Sequence, residues 1–186
     1  MTDENRKIAE ASFKTILQIL GEDTDREGLQ ETPKRYVKFM EQFMSVPEPA
    51  YTCFEPEDTD QMIIQRNIPF FSLCEHHTAP FFGFAAVAYI PNKKIVGLSK
   101  LARTVDFYSR RFQNQERITN QVAERIMNEL DPKGVAVHIT AQHFCMAMRG
   151  VEKHNTWTDT TKLKGVFLED ANAKAEFLSA IQNGIR

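Results

Sequence analysis

The stretch MIIQRNIPFFSLCEHHTAPFFGFAAVAYIP, residues 62–91, decides the fold. β-Branched and aromatic side chains fill 62–73, and GFAAVAYIP at 83–91 is a second apolar run that a proline ends. Runs of this composition predict strands, and two of them so close in sequence predict an antiparallel pair. Between them stand Cys74, Glu75, His76 and His77, in a chain with only five histidines and three cysteines. The connection therefore carries chemistry as well as a turn.

Downstream of this pair the periodicity changes. Residues 99–111 put Leu101, Val105 and Tyr108 on one side of a helix, and 114–130 repeat Ile118, Val122, Ile126 and Leu130 at four-residue steps. GVAVHITAQHFC at 134–145 alternates as a strand does, the Thr-rich 156–168 predicts another, and 170–182 closes as a helix. Upstream, Ile8, Phe13, Ile16, Leu17 and Leu20 predict a helix over 4–20 that Gly21 stops. Thr32-Pro33 reads as an N-cap and first-turn proline, opening a helix over 33–45. The Pro-, Glu- and Asp-rich 46–60 reads as a loop, dividing an N-terminal helical arm, 1–48, from a main domain, 49–186. The order β-β-α-α-β-β, flanked by helices, predicts an α+β fold of antiparallel hairpins, not a parallel nucleotide-binding sheet.

The whole chain of 186 residues suits one proper core with a small appendage. A net charge of −2 lacks the basic excess of a general nucleic-acid or membrane-surface binder. MTDENRKIAEASF at the start is polar and acidic, unlike a secretory signal, and no apolar run approaches membrane-spanning length. Three widely spaced cysteines predict no disulfide framework, and hence a reducing, cytoplasmic setting.

Thiolate and neutral imidazole are the ligands zinc prefers. Cys74 and His77 are three apart, a spacing that lets a tight turn bring sulfur and ring nitrogen onto one ion. In the 134–145 strand, His143 and Cys145 share a face with Val135, Val137 and Ile139 and emerge at its rim. Cys74, His77 and Cys145 form a Cys₂His set, with His76 and His143 left as groups beside the metal or as acid–base residues. A purely structural zinc would want four protein ligands, and only Cys53, in the acidic loop, could extend the sulfur count. Three ligands leave a position for water. Ser99 reads as a helix N-cap with Lys100 and Arg103 in the first turn, an arrangement suited to phosphate as well as to a plain solvated face. Arg149, Arg35 and Lys38 add further cations. Glu116, in a first helical turn, answers the helix dipole on composition alone.

ETPKR (31–35), SLCEHHTAPFFG (72–83), AYIP (88–91), GLSKLAR (97–103), QNQERIT (113–119), HFCMAMRG (143–150) and the Thr-rich approach to GVF (165–167) together resemble the zinc-dependent type I GTP cyclohydrolase family. They occur in the family's order from about Glu27 onward. The resemblance implies the tunnelling fold behind an N-terminal helical hairpin. It implies a toroidal homodecamer of two stacked pentamers, with active sites at subunit interfaces. The implied reaction takes GTP and water to 7,8-dihydroneopterin triphosphate and formate, opening tetrahydrofolate, pterin or deazaguanine synthesis. Cys74, His77 and Cys145 match the zinc ligands, and His76 and His143 match histidines that assist proton transfer. Glu116, with Gln115 before it, matches the carboxylate gripping the guanine edge. Ser99, Lys100, Arg103 and Arg149 match triphosphate contacts, with Arg35 and Lys38 matching basic positions of the N-terminal helix.

Such chemistry needs these residue types. C8 of a purine is a poor electrophile, and protonation of N7 by His143 makes it accept water that zinc has activated. Phe112, Asn114, Trp157 and Asp159 depart from the family's pattern, and an Asp159 near the triphosphate would repel it. No long extension precedes the motifs, so a regulatory tail is not expected. A catalytically silent relative that binds a purine or pterin is the alternative; a nitrile reductase of the same fold would not need C-E-H-H with H-x-C.

Overall fold

The computed structural model describes residues 1–182. They fall into two compact units, Met1–Val46 and the chain from Pro47 onward. In the first, α1 (Asp3–Ile19) starts at Thr2, whose hydroxyl accepts from the Asn5 amide. It ends where Gly21, at φ +92°, turns its N–H to the Gln18 carbonyl while Glu22 donates to Leu17. That left-handed glycine stop is the one the sequence predicts. The short α2 (Glu27–Gln30) runs directly into α3 (Thr32–Met44). Thr32 is consequently not a cap: Glu31 already has helical dihedrals, and the Thr32 hydroxyl donates back to the Gly28 carbonyl. Phe13 stacks on Tyr36 at 4.0 Å, and Arg6 grips both oxygens of Glu41.

The second unit begins with β1 (Cys53–Phe54), within the stretch expected to be loop, which pairs with Ile95 and Val96. The decisive stretch forms β2 (Ile63–Cys74) and β3 (Pro80–Ile90), antiparallel from Leu73↔Pro80 to Ile63↔Tyr89. A bulge with Asn67 at φ +55° shifts the register between Gln65 and Ile68. Then follow β4 (Ile95–Val96), α4 (Ser99–Ser109), β5 (Phe112–Gln113), α5 (Gln115–Leu130) and β6 (Gly134–His143). After them come α6 (Phe144–Ala147), β7 (Thr158–Gly165), α7 (Val166–Glu169) and α8 (Ala171–Gln182). The main sheet has the order β5-β2-β3-β6-β7, antiparallel except for β5 beside β2. This is the α+β arrangement read from the sequence.

The alternation along the strands divides two cores. Phe70, Phe81, Val87, Tyr89, Val135, Val137 and Ile139 pack with Leu101, Val105, Ile118, Val122, Ile126 and Leu130 of α4 and α5. Each such side chain contributes about 1.5–3 kcal/mol by leaving water. On the other face the small Ala86, Ala88 and Ala136 leave room for Phe167, Phe177 and Ile181. Gly83 sets the spacing of β3 and β6 near the site, since a Cβ there would stand 1.9 Å from the Thr140 carbonyl oxygen.

Three expectations are corrected at element ends. The strand predicted over 134–145 stops at His143, and Cys145 sits in the helical turn α6. The strand predicted over 156–168 gives way to α7 after Gly165. Ser99 is the first residue inside α4, not its cap. The turn begins earlier, with Lys100 donating to the Gly97 carbonyl and Leu98 already helical.

Candidate active site

The chemistry-bearing residues gather where the β2–β3 connection meets the end of β6. Cys74 closes β2, its amide donating to the Ala79 carbonyl at 2.8 Å. The His77 and Thr78 amides both turn back to the Cys74 carbonyl, with Thr78 at φ +58°. This tight turn places His77 Nδ1 3.6 Å from Cys74 Sγ, and His76 Nδ1 3.8 Å from the same sulfur. The pairing of Phe81 with His143 brings the end of β6 alongside, and α6 then delivers Cys145. Ligand atoms of Cys74, His77 and Cys145 all lie within 4.8 Å of one another.

This donor set fits a zinc ion. Zinc–sulfur and zinc–nitrogen bonds of about 2.3 and 2.0 Å put tetrahedral donors roughly 3.5–3.8 Å apart, as the Cys74–His77 separation is. Burial and the neighbouring Cys74 sulfur push the Cys145 thiol up. A divalent cation reverses that repulsion, because both thiols then bind as thiolates. Cys53, the only other cysteine, lies outside the set, paired with Val96 in the small sheet.

The first turn of α5 holds this region from behind. Asn114 caps the helix, its Oδ1 accepting from the Arg117 amide, while its Nδ2 donates to Glu75. Arg117 clamps Glu75 at 2.6 and 2.9 Å, and its guanidinium holds the Glu75 carboxyl below the usual carboxylate range. Thus Glu75, within C-E-H-H, ties the Cys74–His77 turn to α5. The sequence does not yield this role: residues 75 and 117 meet only through tertiary structure. The departure at Asn114 gains an explanation as both cap and tether.

Gln115 is turned inward, its side chain buried and bonded to β6, β7 and His143. Burial pushes His143 below the ordinary histidine range, with the negative Glu116 opposing. Glu116 itself is exposed at the second position of α5. Ser99, Lys100 and Arg103 occupy the first turns of α4, Arg149 follows α6, and Arg35 and Lys38 project from α3 in the N-terminal unit. Among the described residues none of these five cations has an ion-pair partner, while Arg6, Lys34, Arg117 and Arg125 all do.

Asp159, the departure from the family's pattern in β7, shares a strand face with His138. It pairs with Thr140, and its carboxylate stands 3.5 Å from His138 Nε2. That is the sheet face opposite the one that Thr158, Thr160, Ile139 and His143 share, so within this chain it points away from the site. The rings of Phe112 and Trp157 are exposed.

Comparison with known proteins identifies the family. Residues 9–182 match the family model described as GTP cyclohydrolase I, and the chain belongs to that family of enzymes. A GTP cyclohydrolase 1 of Sulfurihydrogenibium sp. is 50% identical over 184 residues, covering 98% of each chain. Those of Synechococcus sp. and Campylobacter jejuni are 50% and 46% identical, covering 93% and 96% of this chain and 78% and 96% of their own. A crystal structure of the archaeosine synthase QueF-Like in the apo form aligns at a TM-score of 0.47 and 15% identity, over 56% of this chain and 93% of its own.

Proposed function

We propose that this member of the family converts GTP and water to 7,8-dihydroneopterin triphosphate and formate, with a zinc ion on Cys74, His77 and Cys145. The observation that carries the reading is the convergence of those three ligand atoms, with His143 anchored close by. When bound there, zinc supplies a Lewis acid that makes water a nucleophile near neutral pH. Glu116 holds the guanine edge by accepting from its N–H groups. His143 gives a proton to N7, so that C8 becomes electrophilic, and His76 serves the later proton transfers. Ser99, Lys100, Arg103 and Arg149 hold the triphosphate. Their lack of carboxylate partners leaves them free for an anion, and that binding fixes C8 against the metal site.

The sheet supports a ring of subunits. β7 is an edge strand, and on the opposite margin β5 covers β2 only at Leu73 and Cys74. Strands β2, β3, β6 and β7 alternate in direction, so β7 of one copy would meet β2 of the next antiparallel. Repeated by rotation, that contact closes a ring, here a homodecamer of two pentamers. The cysteines are free, as a cytoplasmic location requires, and no described helix is long and apolar enough to cross a membrane.

The test is incubation of zinc-loaded protein with GTP, followed by oxidation, dephosphorylation and pterin fluorescence. A fluorescent product is expected. Its absence with zinc bound would instead support the silent purine- or pterin-binding relative. His143→Ala should keep zinc and lose about 10²–10⁴ in turnover, the usual weight of a general acid; normal turnover would remove His143 from the role. Arg117→Met frees Glu75 and loosens the metal loop. A chelator competition should then read a fall of about tenfold in zinc affinity, as loss of a supporting group typically gives. Unchanged affinity would mean the clamp is incidental.

A further inference from the structure

Gln115 stands in the family's position beside the guanine-gripping carboxylate, yet its side chain is committed elsewhere. The residue is 1% exposed. Its Nε2 lies 3.0 Å from the Ile139 carbonyl, 2.8 Å from the Thr158 carbonyl and 3.1 Å from Thr160 Oγ1. Carbonyls only accept, so the end facing them is the NH₂ and the other end is the oxygen. The threonines close the arrangement. Thr119 Oγ1 donates to the Gln115 backbone carbonyl, and so accepts from Thr160, whose oxygen shares one of the two Gln115 Nε2 hydrogens with the carbonyls. Strands β6 and β7 therefore settle the amide without help from any ligand.

What remains is Oε1, an acceptor only, 2.8 Å from His143 Nε2. A hydrogen bond to such an atom requires the hydrogen on Nε2. The neutral His143 ring consequently keeps Nδ1 as its proton-accepting nitrogen. Phe81 lies parallel to the same ring, at 4.5 Å between centroids and 9° between planes, which limits its swing. Ring plane and hydrogen position are both set by groups buried in the protein.

We propose that Gln115 is a positioning residue. Its amide, pinned by β6 and β7, orients His143 and decides which ring nitrogen exchanges a proton with substrate, and it does not hold the guanine. The proposal rests on the reading of His143 as the proton mover. Gln115→Met removes the acceptor at similar volume. In the zinc-loaded assembly it should keep zinc stoichiometry and hold GTP affinity within about twofold, while kcat falls about 100-fold, as for a mispositioned general acid. In a His143→Ala background the same change should cost nothing further, because Gln115 acts only through that ring.

A loss confined to GTP affinity, an unchanged kcat, or a full additional loss in the double variant would overturn the inference. If Gln115→Met does not fold, Thr160→Val removes one anchor of the amide, and kcat should fall several-fold at unchanged GTP affinity. An unchanged kcat there counts against the proposal. Independently of turnover, ¹⁵N spectra of histidine-labelled, zinc-loaded protein, assigned with His143→Ala, should place the His143 hydrogen on Nε2. A hydrogen on Nδ1 alone sinks the positioning role. Normal turnover by His143→Ala alone, with the hydrogen still on Nε2, would overturn the proton-mover reading and leave the geometric assignment standing.

Discussion

Cys145→Ser removes zinc and turnover together, and leaves the fold standing. Serine preserves the size of the side chain where Cys145 packs at the margin of the main core, so little burial is lost. What changes is the ligand. A thiolate forms at neutral pH beside a divalent cation, whereas a hydroxyl does not, and zinc sites use sulfur, imidazole and carboxylate. The set drops from three protein ligands to two, Cys74 and His77. Metal analysis should therefore read well below one zinc per chain, and turnover should fall by roughly 10³-fold or more with the Lewis acid gone. The circular dichroism spectrum should match the parent protein's. Cys53→Ser is the control: that sulfur lies in β1, paired with β4, and its loss should change neither zinc nor rate. Full zinc occupancy in Cys145→Ser would mean that the ion sits elsewhere.

The contrast between Cys145 and Gln115 explains what the sequence could and could not disclose. Strand alternation places Val135, Val137, Ile139 and His143 on one face because side-chain direction in a strand follows from position alone. The helices declare themselves similarly, through Ile118, Val122, Ile126 and Leu130. Within C-E-H-H, the turn joining Cys74 to His77 is local, so its spacing can be read. Cys145 comes to the same place by a different path: a helical turn, not the continued strand, swings it toward Cys74. Element ends depend on such single turns, and Ser99 and Thr32 fail as caps for that reason. Gln115 and Glu75 lie beyond reading of this kind. Their partners are 28 and 42 residues away, respectively, and no periodicity links Gln115 to His143 or Glu75 to Arg117. Asp159 departs from the family's pattern, and strand alternation turns it to the face opposite Thr158 and Thr160, beside His138.

A proline in β7 should unmake the ring without unmaking the protomer, provided it is placed correctly. Successive residues of a strand direct their N–H groups to opposite edges, one toward β6 and the next outward. Thr161→Pro and Lys162→Pro therefore form a matched pair, since both lie well inside Thr158–Gly165. One of them deletes a bond to β6 and buries a misfit in the sheet, which destabilises the chain itself. The other deletes only an outward donor, for which this chain offers no strand partner among its described residues. If β7 of each subunit pairs with β2 of the next, that missing donor recurs at every interface, and the cost accumulates around the ring while each protomer keeps its core. Light scattering on the parent protein should give ten chains of 21.4 kDa, about 210 kDa. The outward-facing variant should give a much smaller particle with an unaltered circular dichroism spectrum. Its turnover should fall steeply, because the active sites of the proposed ring lie between subunits. Two folded variants that both remain decameric would show that the subunits are joined through some surface other than this pair of sheet edges.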